Sequence, residues 1–251
     1  MTTLGAAQQR VFILGGSGGI GSAVARLVVA GGGSVFLAGR DAAKLEAVGS
    51  ELGMPTAAVD ATDLDAIDAC ADAAAAALGG LTGIANCVGS LLLKPAHSTS
   101  TAEWAATLAT NLTSGFGCVR AAGRLMKADG GSVVLVSSAA ARIGLANHEA
   151  IAAAKAGLEG LARSAAATYA RQRIRFNVVA PGLVRTPLTQ GLVANELAEK
   201  ASLAMHPLGR LGEPDDVARA IAWLLDPAQN WITAQVLGVD GGLADVKARP
   251  G

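Results

Sequence analysis

The run Arg10 to Ala30, RVFILGGSGGIGSAVARLVVA, constrains the fold of this chain more than any other stretch. Arg10 to Leu14 reads as a short buried strand, and the run to Ala30 reads as a helix. Between them stand Gly15, Gly16, Ser17, Gly18, Gly19, Ile20 and Gly21. Glycines here allow a tight turn and close backbone approach, and a helix N-terminus presents free N–H groups to an anion such as a pyrophosphate. Strand, glycine turn and helix in this order suit a dinucleotide site. The plainer alternative is a glycine-rich turn that only packs helix on strand.

The same alternation repeats along the chain. A second strand, Ser34 to Ala38, ends at Gly39, Arg40 and Asp41; Asp41 is an N-cap, followed by Leu45 and Val48 at helical spacing. A third strand ends at Val59, Asp60 and Ala61. The alanine-rich segment Asp65 to Leu78 favours helix, with its aspartates on the exposed face. A fourth strand carries Ile84 to Gly89. After a loop at Ser90 to Ser100, two helices are expected, Thr101 to Asn111 and Leu112 to Lys127. Val133 to Val136 is a buried strand that delivers Ser137 and Ser138 to its end, and a small-residue loop leads to a helix holding His148, Ile151 and Lys155. Ile174 to Val179 runs into Pro181, Gly182, Leu183, Val184, Arg185 and Thr186. Residues 187–206 show weak periodicity. A further helix runs to Leu225, and Gln235 to Val239 is the last strand. Strands alternating with helices, without an internal linker, imply an α/β fold: a single-domain, Rossmann-like doubly wound parallel sheet of about seven strands with helices on both faces. The domain spans 1–251.

Composition narrows the function class. A formal net charge of zero without like-charge blocks gives no reason to expect nucleic acid or a membrane surface as partner. Cys70, Cys87 and Cys118 are scattered, and His97, His148 and His206 lack paired spacing, so neither a disulfide framework nor a metal site is expected. The opening MTTLGAAQQR lacks the features of a signal peptide, and no apolar run approaches the ~20 residues that span a bilayer. A cytoplasmic location is the expectation.

Six stretches, in order, resemble the short-chain dehydrogenase/reductase family in its main branch. Gly15, Gly19 and Gly21 carry the family's Gly-x-x-x-Gly-x-Gly, with Leu14 where the family usually has threonine. Arg40 matches the arginine of NADP-preferring members, whose guanidinium suits a 2′-phosphate; the alternative is an ordinary surface arginine. Asp60 resembles the aspartate that meets the adenine amino group. Asn86 and Gly89 keep the ends of an Asn-Asn-Ala-Gly motif in which Cys87 replaces the second asparagine. Pro181, Gly182, Val184 and Thr186 resemble the turn that contacts the nicotinamide amide and pyrophosphate, and Gly209 to Ala218 matches another family stretch. The resemblance implies NADP(H), in preference to NAD(H), held by Gly15, Gly16, Ser17, Gly18, Gly19, Ile20, Gly21, Arg40, Asp60, Ala61, Asn86, Gly89, Lys155, Pro181, Gly182, Val184 and Thr186. It also implies that residues 187–206 are a variable substrate lid. Helices at Ser114 to Lys127 and Ile151 to Ala170, rich in small residues, would build a homodimer or homotetramer.

The catalytic segment departs from the family. Ser138, Lys155 and Asn111 fall on its catalytic positions, but its tyrosine position holds Ile151. Tyr169, the one tyrosine of the chain, lies fourteen residues beyond Lys155, roughly 21 Å along a helix, and cannot substitute. His148 precedes Lys155 by seven residues, two helical turns, and so shares its face. The divergent enoyl-reductase branch of the superfamily has its tyrosine at that register. His148 is therefore a candidate proton donor; the alternative is that it begins the helix, with Asn147 as N-cap. Asn111 could equally be a helix breaker.

These residues imply an oxidoreductase that moves hydride between nicotinamide and a small apolar substrate. Iminium and conjugated C=C substrates need a catalytic acid less than a ketone does, so carbonyl, imine and C=C substrates stay open. So does a cofactor-binding partner subunit or sensor without turnover, and more remotely a lyase or isomerase on the same scaffold.

Overall fold

Seven short segments pair side by side without hairpins, and the central five are buried on both faces. The computed structural model describes residues 9–247. Its elements are β1 (Arg10–Leu14), α1 (Gly19–Ala30), β2 (Ser34–Gly39), α2 (Ala42–Leu52), β3 (Thr56–Ala58), α3 (Leu64–Leu78), β4 (Gly83–Asn86), α4 (Thr101–Leu108) and α5 (Ser114–Leu125). There follow β5 (Gly131–Val136), α6 (Glu149–Tyr169), β6 (Ile174–Pro181), α7 (Gln190–Val193), α8 (Glu196–Met205), α9 (Pro214–Leu225) and β7 (Val236–Val239). The strands form one sheet in the order β3-β2-β1-β4-β5-β6-β7, all neighbours parallel. Parallel neighbours require crossovers, and the helices that supply them cover both faces.

Alternation along each strand divides the core in two. Phe12, Leu14, Ile84 and Phe176 face α3, α5 and α6, whereas Val11, Ile13, Leu37 and Val134 face α1, α2 and α9. Asp41 caps α2 as expected, accepting the Lys44 N–H. Two aspartates of α3 are not simply solvated. Asp65 and Asp68 pair with Arg120 of α5 at 3.3 and 2.9 Å. Tyr169, at the end of α6, lies against Phe176 with ring centroids 5.7 Å apart, a packing role.

Several boundaries differ from those expected, and those nearest the site matter most. β3 ends at Ala58 and β4 at Asn86, so Asp60, Ala61 and Gly89 sit on loops beyond the strand ends. The expected helix pair at Thr101 to Lys127 has no break; α4 and α5 join through a π-helical turn, Ala109–Thr113. The cause is visible in side chains that compete for the backbone ladder. Asn111 Nδ2 donates to the Thr107 carbonyl at 3.0 Å, and Ser114 Oγ to the Thr110 carbonyl at 2.7 Å. Residues 187–206 hold two helices, α7 and α8, the second capped by Asn195. No helix among the described residues is long and apolar enough to cross a membrane.

Phe176 is fully buried at the centre of one face. Phe176→Ala should lower unfolding free energy by about 3–5 kcal/mol, measured by urea denaturation.

Candidate active site

β1 and β4 are neighbours in the sheet but not in sequence, and ligands of such sheets bind outside the strand ends where the order reverses. The glycine turn lies at that point. Gly15 has φ +86°, and a Cβ there would stand 2.7 Å from the Cys87 carbonyl carbon. A Cβ on Gly21 would stand 2.2 Å from the Gly15 oxygen. The packing reading of the turn is therefore true of these two glycines. It leaves open the other end: Gly18 is exposed, caps α1 without a side-chain hydrogen bond, and leaves the helix start free for an anion. Ser17 and Ile20 are half-buried on the same turn, Gly16 packs on Leu37, and a Cβ on Gly19 would meet Thr186 at 3.0 Å. The first glycine turn and the segment after β6 thus meet across the strand ends.

Arg40, exposed, follows the end of β2 and makes no ion pair within 4 Å among the described residues. Asp60 lies close by. Its carboxyl accepts the Thr62 N–H at 2.9 Å and hydroxyl at 2.8 Å, and these bonds, with a smaller contribution from the Arg40 charge, hold it below the usual carboxylate range. Asn86, buried, donates to Ser114 Oγ at 3.1 Å and accepts the Val88 N–H at 3.1 Å, which shapes the loop to Gly89.

The centre of the site is Lys155. Its ammonium is buried and donates to the Val136 carbonyl at the end of β5, 2.8 Å away. No carboxylate among the described residues pairs with it. Burial pulls it down to about 8, only partly opposed by Cys87. Cys87 is itself pushed up to about 12 by burial and stays a neutral thiol, with the Lys155 charge opposing weakly. Gly89 closes the group. A Cβ there would lie 3.6 Å from Lys155 Nζ and 3.4 Å from Asn111 Oδ1, so Gly89, Asn111 and Lys155 converge on one small space.

Two serines hold this group: Ser90, which the sequence places only at the start of a loop, and Ser137, which it places at a strand end without this role. Ser90 donates its N–H to Asn111 Oδ1 at 3.1 Å and takes Asn111 Nδ2 on its hydroxyl at 2.8 Å. Ser137 donates its hydroxyl toward the Lys155 carbonyl at 3.0 Å and Glu159 Oε1 at 3.2 Å, tying β5 to α6. Neither carries a local sequence signal. Ser138 is half-buried, and its oxygen accepts the Ala140 N–H at 3.1 Å, which leaves the hydroxyl proton free to donate elsewhere.

Ile151 is buried in the first turn of α6 and brings no polar atom to the site. His148 is the cap residue of α6, half-buried, without a side-chain bond to the helix. Asn147 is not the cap; it sits at φ +64°, in the left-handed region asparagine tolerates. His148 Nδ1 lies 2.7 Å from the Ala146 carbonyl oxygen. A carbonyl only accepts, so Nδ1 carries the proton and Nε2 of the neutral ring is a free base.

After β6, Val184 bridges to Gly212, and the Thr186 N–H donates to Thr189 Oγ1 at 3.0 Å. Pro181 ends β6, and Gly182 N–H donates to the Val239 carbonyl at 3.2 Å.

A glycine turn at the reversal of a parallel sheet, with a buried lysine at the end of β5, defines a nucleotide-binding fold of the Rossmann type. A sequence model described as "Enoyl-(Acyl carrier protein) reductase" matches residues 15–244. The cis-4-hydroxycyclohexanecarboxylate dehydrogenase of Sinomonas cyclohexanicum is 39% identical over 249 residues, which covers 96% of this chain and 98% of that protein. The inactive 2-(S)-hydroxypropyl-CoM dehydrogenase 2 of Xanthobacter autotrophicus is 35% identical over 89% of this chain and 100% of its own. A short-chain type dehydrogenase/reductase structure from Mycobacterium ulcerans superposes with TM-score 0.90 at 31% identity, covering 94% of this chain and 90% of that one. The chain belongs to the short-chain dehydrogenase/reductase family, a family of nicotinamide-dependent oxidoreductases.

The buried cation has a stability signature. Because the folded-state value of about 8 lies below the ordinary 10.5, Lys155 costs stability below about pH 8, and the cost fades as pH rises toward 10.5. Lys155→Met should therefore stabilise the protein at pH 7 by roughly 1–3 kcal/mol. The gain over wild type in urea denaturation should shrink between about pH 8 and 10.5.

Proposed function

We propose that this chain is an NADP(H)-dependent oxidoreductase acting on a small apolar carbonyl, imine or conjugated C=C compound, with His148 in the place of the missing tyrosine. The observation that carries the reading is the convergence of Lys155, Asn111 and Gly89 beside an uncapped glycine turn. A buried, unpaired ammonium costs stability, and such groups gather at functional sites.

The residues fit a dinucleotide. Gly15 to Gly21 and the start of α1 would take the pyrophosphate, Arg40 the 2′-phosphate, Asp60 and Ala61 the adenine side, and Asn86, Gly89, Lys155, Pro181, Gly182, Val184 and Thr186 the nicotinamide ribose and amide. When bound, NADP(H) supplies or accepts the hydride. The protein's part is positioning and proton transfer. Ser138 donates its free hydroxyl proton to the substrate oxygen or nitrogen. Lys155 holds positive charge near it, and Asn111, clasped by Ser90, fixes the floor between them. His148 Nε2 accepts a proton from an alcohol in the oxidative direction, and the imidazolium returns one in the reductive direction. Residues 187–206 close over the substrate, and the whole chain works as one nucleotide-binding unit. Phe116 on α5 and Trp104 on α4, 45% and 41% exposed, suit a contact in a homodimer or homotetramer.

A second reading is a cofactor-binding protein without turnover, a partner subunit or sensor. Ile151 favours it, since it offers no proton, and one close relative carries the word inactive in its name.

The test is titration with NADPH and NADH, followed by energy transfer from tryptophan to nicotinamide. NADPH should bind more tightly than NADH, and Arg40→Ala should weaken NADPH by about 10-fold or more, one charge-assisted contact, while sparing NADH. Failure to bind either would overturn the reading. His148→Ala should lower kcat by about 10²-fold with cofactor affinity unchanged. Unchanged turnover would remove His148 from the mechanism, and strong binding with no turnover on ketones, imines or enones would favour the second reading.

A further inference from the structure

Residues 187–206 leave the turn after β6 at Thr186, and an imidazole at their far end, beside the Arg185–Glu199 pair, comes back to it. His206 follows the last residue of α8 and is 3% exposed. Its Nδ1 lies 2.7 Å from the Ser202 carbonyl oxygen, so Nδ1 carries the proton. Its Nε2 accepts the Leu183 N–H at 3.1 Å. A Cβ on Gly182 would stand 2.6 Å from Nε2, so the backbone approaches the ring this closely only through glycine. The two hydrogen bonds require a neutral ring.

The charged groups around the ring are engaged elsewhere. Asp240, after β7, is occupied by the Gly242 and Ala244 N–H groups at 2.9 and 3.0 Å. Arg210 and Asp216, which face the same cavity of about 370 Å³, pair with each other at 2.6 and 2.9 Å. Glu199 on α8 is taken by Arg185.

We propose that His206 is a positioning residue, a latch that holds the end of the 187–206 segment against the Pro181–Leu183 turn while its ring is neutral. The proposal rests on the reading of that turn as cofactor-facing. A proton added at Nε2 converts the acceptor to a donor opposite the Leu183 N–H, and that bond is lost. The bond from Nδ1 to Ser202 persists, because a helix C-terminus favours a cation. Acidification therefore frees the Leu183 N–H, while the bonds of Gly182 to Val239 and of Gly212 to Leu183 remain and the end of α8 stays capped.

Amide hydrogen exchange on the cofactor-free protein tests this, with protection corrected for the intrinsic pH dependence. From about pH 8 to about pH 5, protection at Leu183 should fall about 10-fold, the worth of one hydrogen bond, while the α8 amides hold. His206→Gln retains a non-titrating acceptor and should flatten that pH dependence; His206→Ala should expose Leu183 at both pH values. The Kd for NADPH should rise with loss of Leu183 protection in wild type and stay level in H206Q. Leu183 protection that ignores pH in wild type, or H206A protection equal to wild type, overturns the latch. An NADPH Kd that ignores the loss of protection overturns its coupling to the cofactor. If H206A does not fold, wild type and H206Q decide. If the exchange pattern appears but neither NADPH nor NADH binds at any pH, the latch stands and the cofactor reading falls.

Discussion

Burying one ammonium without a carboxylate is the constraint that the rest of the site answers to. Lys155 reaches the Val136 carbonyl at the end of β5 and is otherwise surrounded by a neutral thiol, a glycine and an amide. Holding it there needs α6 fixed against β5, which Ser137 does by bonding the Lys155 carbonyl. It needs room beside Nζ, which Gly89 leaves. It also needs a polar floor, which the π-helical turn provides by aiming Asn111 inward instead of around the helix.

Ile151 stands at the position that the sequence resemblance assigns to a tyrosine. Ile151 is buried as core, while Lys155 bonds Val136, Asn111 bonds Ser90 and Ser138 bonds Ala140. The proposed source of the proton is then His148. His148 sits at the mouth of α6, its Nδ1 committed to Ala146 and its Nε2 open.

Much of the architecture was legible in local pattern. β1 and the ends of α1 and α9 fall where periodicity and glycine put them, because buried strands and capped helices carry their signals within a few residues. Asp41 was readable as a cap for the same reason. The π-helical turn was not, since it arises from competition between Asn111, Ser114 and carbonyls one turn back, which looks like helix in sequence. Asn147 read as a cap because its side chain suits one; the backbone instead uses it for a left-handed turn. Ser90 and Ser137 gave no signal, as their partners lie 21 and 18 residues away.

By itself the sequence determined the repeating strand–helix order, the glycine turn, the position of the lysine and the absence of its tyrosine. These are properties of spacing and residue type, and backbone sterics and hydrophobic period read them directly. Tertiary structure alone decided which groups meet: Gly89 beside Asn111 and Lys155, Gly19 against Thr186, Arg40 near Asp60, His206 on Leu183. Those contacts join the ends of strands adjacent in the sheet but distant in the chain. Only the parallel strand order, set by burial on both faces, brings them together.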